Sequence, residues 1–311
     1  MRKLPRSFAV VVLAVAALFA AVAPASSVTG GEEDTDNDFP YVGMAVFYQP
    51  DGRFRCSGTL IAPRVFLTAA HCTYLDIGKV VVTFDWEISR TEPESEINIP
   101  RAADDSGPDD AVSAIGFTAA DISAPKYVGE PTYVLGTAYT HPQYSDFTDL
   151  KNWNDTGVII LDSAVALPTA PLAPENYLNA FRPPLLRTTI FTSIGYGTEV
   201  RQAEEPPRPP TPERQPIVRR WTTEIGQKLT AQVLQTNGND QDPFAGGGTC
   251  FGDSGGPILL NGYVVGDTSY GFTNNCRYID GYQRVDIPVV RNWVLSCVAA
   301  LTCETKPAPP E

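Results

Sequence analysis

The chain has 311 residues, with 23 Lys and Arg against 36 Asp and Glu for a net charge of −13, six cysteines and only two histidines. So acidic a chain repels polyanions, which excludes nucleic acid and anionic membrane surfaces as partners. With no Cys-x-x-Cys pair and so few histidines, a zinc-type site does not explain the cysteines, and no metal or other cofactor is expected.

Arg2, Lys3 and Arg6 precede an unbroken apolar run from Phe8 to Ala23, and Ala25-Ser26-Ser27 supplies the small residues of a cleavage site. Residues 1–27 therefore read as a secretory signal peptide. The run of 16 residues is short of the roughly 20 that a bilayer-spanning helix needs. Its removal takes three of the 23 basic residues and no acidic one, leaving 20 against 36 and a net charge of −16. The exported remainder can bury one large β-rich core or two smaller ones. Glu32 to Asp38 and the stretch Ile97 to Pro125 are rich in carboxylates. Neither has the ligand alternation and fixed glycine of a calcium loop, so both read as solvated acidic loops.

Short β-prone runs bounded by Gly, Pro, Asn and Asp recur along the chain: Tyr41–Tyr48, Val80–Phe84, Gly157–Leu161, Thr188–Ile194, Pro257–Val265 and Tyr282–Ile287. This predicts an all-β fold. Between them, Ala164 to Pro184 carries five prolines and suits a crossing segment. Arg201 to Pro216, with six prolines and five charges from Glu204 onward, cannot bury a core and reads either as an enlarged surface loop near the active site or as a plain disordered insertion. One helix is expected near the C-terminus. There Asp286 is placed to cap, Pro288 falls in the first turn, and Val290, Trp293, Val294 and Cys297 share a face.

Three segments carry chemistry. In Thr68-Ala69-Ala70-His71-Cys72, small residues leave room for an imidazole. Asn154-Asp155-Thr156 stands where polar sequence switches to the apolar run Gly157–Leu161. Asp146 and Asp149 lie in a polar loop and Asp162 follows the strand, so Asp155 is the candidate orienting carboxylate. Asn154-Asp155-Thr156 also forms a glycosylation sequon, discounted because a glycan there would obstruct the site. Finally, Gly252-Asp253-Ser254-Gly255-Gly256-Pro257 flanks a serine with glycines. A serine hydroxyl needs a neighbouring base to become a nucleophile. Gly252-x-Ser254-x-Gly256 also fits the lipase nucleophile elbow, but that arrangement puts the histidine after the serine, and both His71 and His141 precede Ser254.

Thr-Ala-Ala-His-Cys and Gly-Asp-Ser-Gly-Gly-Pro, in the order His, Asp, Ser, resemble the chymotrypsin/trypsin family of secreted serine proteases, from about Val28 to Val294. The resemblance implies two six-stranded antiparallel β-barrels packed together, over residues 28–170 and 171–303. The second would carry the C-terminal α-helix, with 304–311 as a flexible tail. It also implies His71 as general base, Asp155 as its orienter and Ser254 as nucleophile, with the N–H groups of Gly252 and Ser254 forming the oxyanion hole. Disulfides Cys56–Cys72 and Cys250–Cys276 follow from the same resemblance, and Cys297 and Cys303 would close a short loop. His141, in His141-Pro142-Gln143-Tyr144, matches a surface segment and takes a structural role.

In the family, the residue matching Asp253 pairs with the amine of the mature N-terminus. Val28-Thr29-Gly30-Gly31 resembles that N-terminus with two changes, and Ser27 stands where an activating protease would need Arg or Lys. Signal-peptide cleavage after Ser27 would release Val28 directly, giving an enzyme without a zymogen stage. The pocket-floor position that is aspartate in trypsin-like relatives is Gly248 here, while Asp280 falls where a glycine usually stands. Asp280 is expected to give some preference for Arg or Lys from the opposite wall, with Gly248 leaving space for broader acceptance; the alternative is that Asp280 points to solvent. Ser269-Tyr270-Gly271 resembles the Ser-Trp-Gly segment that pairs with an extended substrate. The implied function is a monomeric, exported serine endopeptidase acting on peptides or proteins. A silent binding protein of this fold would be expected to lack one of His71, Asp155 and Ser254, and ester hydrolysis would use the same triad.

Overall fold

The computed structural model describes residue 28 and residues 30–49, 52–76, 78–88, 133–198, 217–239, 241–244, 246–273 and 276–308. The signal peptide, Ile97 to Pro125 and Arg201 to Pro216 lie outside these residues.

A short strand β1 (Glu32–Glu33) precedes the first barrel, which is built from β2 (Val42–Gln49), β3 (Gly52–Ala62), β4 (Val65–Thr68), β5 (Val80–Thr83), β7 (Tyr133–Thr140) and β8 (Gly157–Leu161). These close in the order β2-β3-β4-β8-β7-β5, every pair antiparallel. Val-rich β5 and β8 are buried along their whole length, as expected of β-branched strands whose two faces both meet apolar neighbours. The second barrel comprises β9 (Ile190–Gly195), β11 (Arg220–Leu229), β12 (Val233–Asn237), β13 (Pro257–Leu260), β14 (Tyr263–Gly271) and β15 (Ile279–Arg284). Its ring β9-β11-β12-β15-β14-β13 closes through the β9–β13 pairing, and β1 adds to the edge of β11. A two-stranded ribbon joins β6 (Glu87–Ile88) to β10 (Ile217–Val218).

The expected run Pro257–Val265 is in fact a hairpin. Asn261 and Gly262 both take positive φ, 52° and 80°, the backbone that a two-residue Asn-Gly turn requires. The predicted helix is present as α2 (Pro288–Ala300), following the four-residue α1 (Ala70–Thr73), and its buried residues are Val290, Trp293, Val294 and Cys297. Asp286 does not cap it. Ile287 occupies the N-cap without a side-chain bond, because the Asp286 carboxylate is engaged elsewhere. It accepts Arg284 Nε at 2.9 Å, Arg284 Nη2 at 2.8 Å and the Leu178 amide at 2.8 Å.

One apolar cluster runs from Val42, Met44 and Val158 in the first barrel through Ile194, Tyr196 and Val264 in the second to Val290 and Val294 of α2. Burying such a side chain is worth about 1.5–3 kcal/mol, so this shared core locks the barrels face to face. His141 supports the same junction. Its Nε2 lies 3.3 Å from the Val289 carbonyl, its ring is 4.9 Å from Trp293, and burial pushes its pKa down to about 4, so it stays neutral. The first residues of the tail make contacts with the rest of the fold. Trp293 donates to the Glu304 carbonyl, Thr140 N–H to Thr305, and Lys306 N–H to the Thr140 carbonyl, so the chain is pinned as far as Lys306. All three expected disulfides are formed.

Candidate active site

His71 sits in α1, immediately after β4, and the bond from its neighbour Cys72 to Cys56 ties that turn to β3. Asp155 precedes β8, which pairs with β4, so the ladder that aligns Thr68 with Gly157 also brings histidine and carboxylate together. The His71 backbone N–H donates to Asp155 Oδ1 at 2.9 Å, and ring Nδ1 lies 2.9 Å from Oδ2. Asp155 is fully buried, and Ser269 Oγ donates to Oδ2 at 2.6 Å. Trp153 Nε1 in turn donates to Ser269 Oγ at 2.9 Å. The Asp155 amide donates to Gln283 Oε1 at 3.0 Å, anchoring the carboxylate to the second barrel. Sequence reasoning gave Ser269 only a substrate-pairing role and missed Trp153 and Gln283. Burial pushes the imidazole pKa down, but the charge and hydrogen bond of Asp155 outweigh it and hold the pKa above 6.5.

The serine loop rests on Ser57. Ser57 N–H donates to the Ser254 carbonyl at 2.8 Å, Ser57 Oγ donates to the Gly252 carbonyl at 2.9 Å, and the Tyr196 amide donates to Ser57 Oγ at 2.8 Å. Gly252 and Gly255 take φ of 96° and 77°, the left-handed region that glycine tolerates best. A Cβ on Gly255 would also meet the Ala69 nitrogen at 2.6 Å, so the serine loop runs directly against the strand end that leads to His71. The amides of Asp253, Gly255 and Gly256 are bonded to the carbonyls of Cys250, Thr268 and Asp253. Those of Gly252 and Ser254 donate to nothing among the described residues. Neither the Ser254 hydroxyl nor His71 Nε2 has a hydrogen-bond partner among them. Such contacts are often long in unliganded sites and tighten when substrate binds.

Asp253 is buried and accepts the Gly197 amide at 2.7 Å and the Cys250 amide at 2.9 Å. Burial raises its pKa to about 6, against these bonds and the nearby charges of Arg55 and Arg220. Val28 is also fully buried, its carbonyl accepting the Gly31 amide at 2.7 Å.

A pocket of about 180 Å3 opens beside Ser254, lined among others by Thr249, Cys250, Ser269, Tyr270 and Gly271. A larger hollow of about 710 Å3, around Asn179, Arg182 and Gln232, touches none of the triad and lacks a chemical constellation. Asp280 is not in a solvent loop: it is 2% exposed, lies in β15 opposite Gly271, and its Oδ2 accepts the Thr249 amide at 2.7 Å. Gly248 does not leave open space either. A Cβ there would collide with that Oδ2 and meet the Gly238 Cα at 2.5 Å, so glycine admits the carboxylate rather than widening the pocket. Along the other flank, His71, Phe147, Trp153 and Tyr270 form a chain of ring contacts at 5.6, 5.1 and 5.6 Å. Cys56, His71 and Cys72 form the cluster of possible metal ligands among the described residues, but their sulfurs are joined in a disulfide and offer no thiolate. Near Glu32 to Asp38 the carboxylates do not converge: Asp34 bonds to Arg219 and Glu33 to Arg220.

Two closed six-stranded antiparallel barrels with a C-terminal helix define the chymotrypsin-type fold. The family model described as Trypsin matches residues 28–111 and 119–294, and the chain belongs to this family. It is 26% identical over 253 residues to Melanization protease 1 of Drosophila melanogaster, covering 78% of this chain but only 56% of that protein. It is 28% identical to a trypsin of Saccharopolyspora erythraea, covering 78% and 86% of the two chains, and 27% identical to brachyurin of Leptuca pugilator, covering 83% and 93%. Among solved structures, HL collagenase superposes with a TM-score of 0.54 at 18% identity, covering 88% of this chain and 99% of that one. Human heparin binding protein gives 0.56 at 18%, covering 90% and 99%. One is named for cleavage and one for binding, so at this identity the fold does not decide catalysis and the site must. Among the described residues no helix is long and apolar enough to cross a membrane.

Proposed function

We propose that the protein is an exported serine endopeptidase that cleaves peptide bonds through an acyl-enzyme on Ser254. The observation that carries this reading is the buried Asp155 bonded to His71 Nδ1, set beside a serine loop whose Gly252 and Ser254 amides are unengaged. His71 Nε2 takes the Ser254 proton as the hydroxyl attacks the carbonyl, then returns it to the leaving amine. Asp155 holds the tautomer and stabilises the imidazolium. The two amides receive the oxyanion, and each such donor is worth about 2.7–4 kcal/mol in the transition state. Substrate adds as a strand to Ser269–Gly271, an edge of β14 that lies beyond its last pairing with β13, at Asp267. Three disulfides suit an oxidising compartment.

Cleavage after Ser27 supplies the Val28 amine, which pairs with Asp253. That carboxyl is buried with two amides and no bonded cation among the described hydrogen bonds, so an arriving ammonium stabilises its charged form. Treatment of the secreted protein with a fluorophosphonate and peptide mapping tests both points. The adduct is expected on Ser254 of a chain beginning at Val28. An adduct elsewhere, or none, overturns the mechanism; a labelled chain starting upstream overturns only the N-terminal pairing.

Asp280 supplies negative charge behind the Thr249 wall and gives a preference for Arg or Lys before the scissile bond. Peptide substrates carrying Arg, Phe or Ala there are expected to show Arg favoured, by about tenfold or more over Asp280→Asn, as for a charged partner worth over about 1.4 kcal/mol. An unchanged profile in Asp280→Asn removes the assignment.

A further inference from the structure

The carboxylate behind the pocket is not alone. Glu224 lies on the inward face of β11 and is fully buried. Its Oε1 accepts Tyr282 Oη at 2.5 Å and its Oε2 accepts Thr236 Oγ1; Tyr282 Oη also lies 2.8 Å from Ser193 Oγ. Thr236 stands directly opposite Asp280 in the β12–β15 ladder, and Tyr282 is two residues along β15 on the same face. Glu224 and Asp280 therefore flank the same two side chains. The groups facing them are Ser193 from β9, Thr236 from β12, Tyr282 from β15, Thr249, which bonds Asp280, and, at longer range, Asp253 from the serine loop. Among the described residues no arginine, lysine or histidine nitrogen bonds to either carboxylate.

Two buried carboxyls without a cation do not both carry charge, because desolvation and mutual repulsion act in the same direction. Burial pushes Glu224 up to about 7, and burial first and the charge of Glu224 second push Asp280 well above the usual aspartate range. They titrate as a pair rather than as independent groups.

We propose that Asp280 and Glu224 form one proton-sharing acid unit behind the specificity pocket, so that acceptance of an arginine or lysine side chain is coupled to release of one proton. This rests on Asp280 being the pocket's charge. An entering cation stabilises the Asp280 carboxylate; the proton it displaces leaves for solvent, and the charge on substrate and pocket balances. Any remaining proton stays on Glu224, between the hydroxyls of Thr236 and Tyr282. Apolar side chains enter with no proton released. Glu224 is thus a positioning residue that sets the pH at which the pocket favours basic side chains.

The readout is the ratio of kcat/KM for an Arg substrate over its Ala counterpart, followed from acid to mildly alkaline pH on the exported enzyme. Both substrates use His71, so its titration cancels. The wild-type ratio is expected to rise with pH, by up to about tenfold per unit. In Glu224→Gln the like charge that holds the proton on Asp280 is gone while burial remains, so the ratio matches wild type at the acid end and climbs above it, by about tenfold, over the pH range in which Glu224 is ionised in the wild type. Superimposable profiles of Glu224→Gln and wild type from acid to mildly alkaline pH overturn the coupling while leaving Asp280 in place. No Arg preference at any pH, with Asp280→Asn unchanged, removes the underlying assignment and the coupling with it. Should Glu224→Gln not fold, wild-type benzamidine binding by calorimetry, in buffers of different ionisation heat, decides the matter. About one proton released per benzamidine at the acid end is expected, and none overturns the proposal.

Discussion

Replacing His71 by alanine is expected to lower kcat by about 10^6-fold, with Ser254→Ala giving a similar loss and the double variant little more. The reason for non-additivity is mechanical: a hydroxyl without its base and a base without its hydroxyl are equally idle. The residue of activity, about 10^3–10^4-fold over water, would come from the Gly252 and Ser254 amides and from substrate binding. Asp155→Asn is expected to cost about 10^4-fold, because an asparagine amide favours the wrong tautomer. The acid limb provides an independent check. His71 acts as a base only when neutral, and Asp155 holds its pKa above 6.5, so kcat/KM should fall as pH drops through that raised value. In Asp155→Asn the raising charge is gone while burial remains, so the limb moves to lower pH. Steady-state kinetics on purified variants, with circular dichroism to confirm folding, measures both effects. Wild-type kcat in His71→Ala sinks the mechanism.

What could be read from residue order was whatever is locally encoded. His71, Asp155 and Ser254 stand in short motifs, and Gly157–Leu161 announces itself as a strand because its whole apolar run is buried. The Asn261-Gly262 turn was equally legible, though the run across it reads as one strand if only hydrophobicity is followed. The acids under the pocket were not. In β11 the apolar Trp221 and Ile225 are only half-buried, while Arg220, Thr222 and Glu224 take the inward phase. Hydrophobic alternation puts Glu224 outside. Its inward position depends on Thr236, Tyr282 and Ser193, which arrive from three other strands and leave no mark near residue 224. Asp267 teaches the same point: this buried neighbour of Asp155 is bonded by Thr156 Oγ1 at 2.8 Å, just after the apolar start of β14. Burial, and next the charge of Asp155, raise its pKa well above the aspartate range.

The largest stability loss is expected at Asp34. Its side chain is 1% exposed and meets Arg219 Nε at 2.6 Å, while Arg219 itself is fully buried. The guanidinium also donates to the carbonyls of Val42 at 2.9 Å and Phe84 at 3.1 Å, to Tyr196 Oη at 3.2 Å, and to Asn37. One cation thus joins the N-terminal segment, the first barrel and the second. Removing the carboxylate leaves it buried and uncompensated, so Asp34→Ala should lose about 3–5 kcal/mol. The paired change Asp34→Leu with Arg219→Met removes both charges and should cost less than the sum of the single variants, since neither ion is stranded. Because Asp34 lies six residues after Val28, loosening this segment should also impair delivery of the new amine to Asp253, and kcat should fall with stability. Denaturant midpoints on the four variants test the argument. A loss below about 0.5 kcal/mol in Asp34→Ala, the level of an ordinary surface substitution, would show that the pair does not hold the segment down.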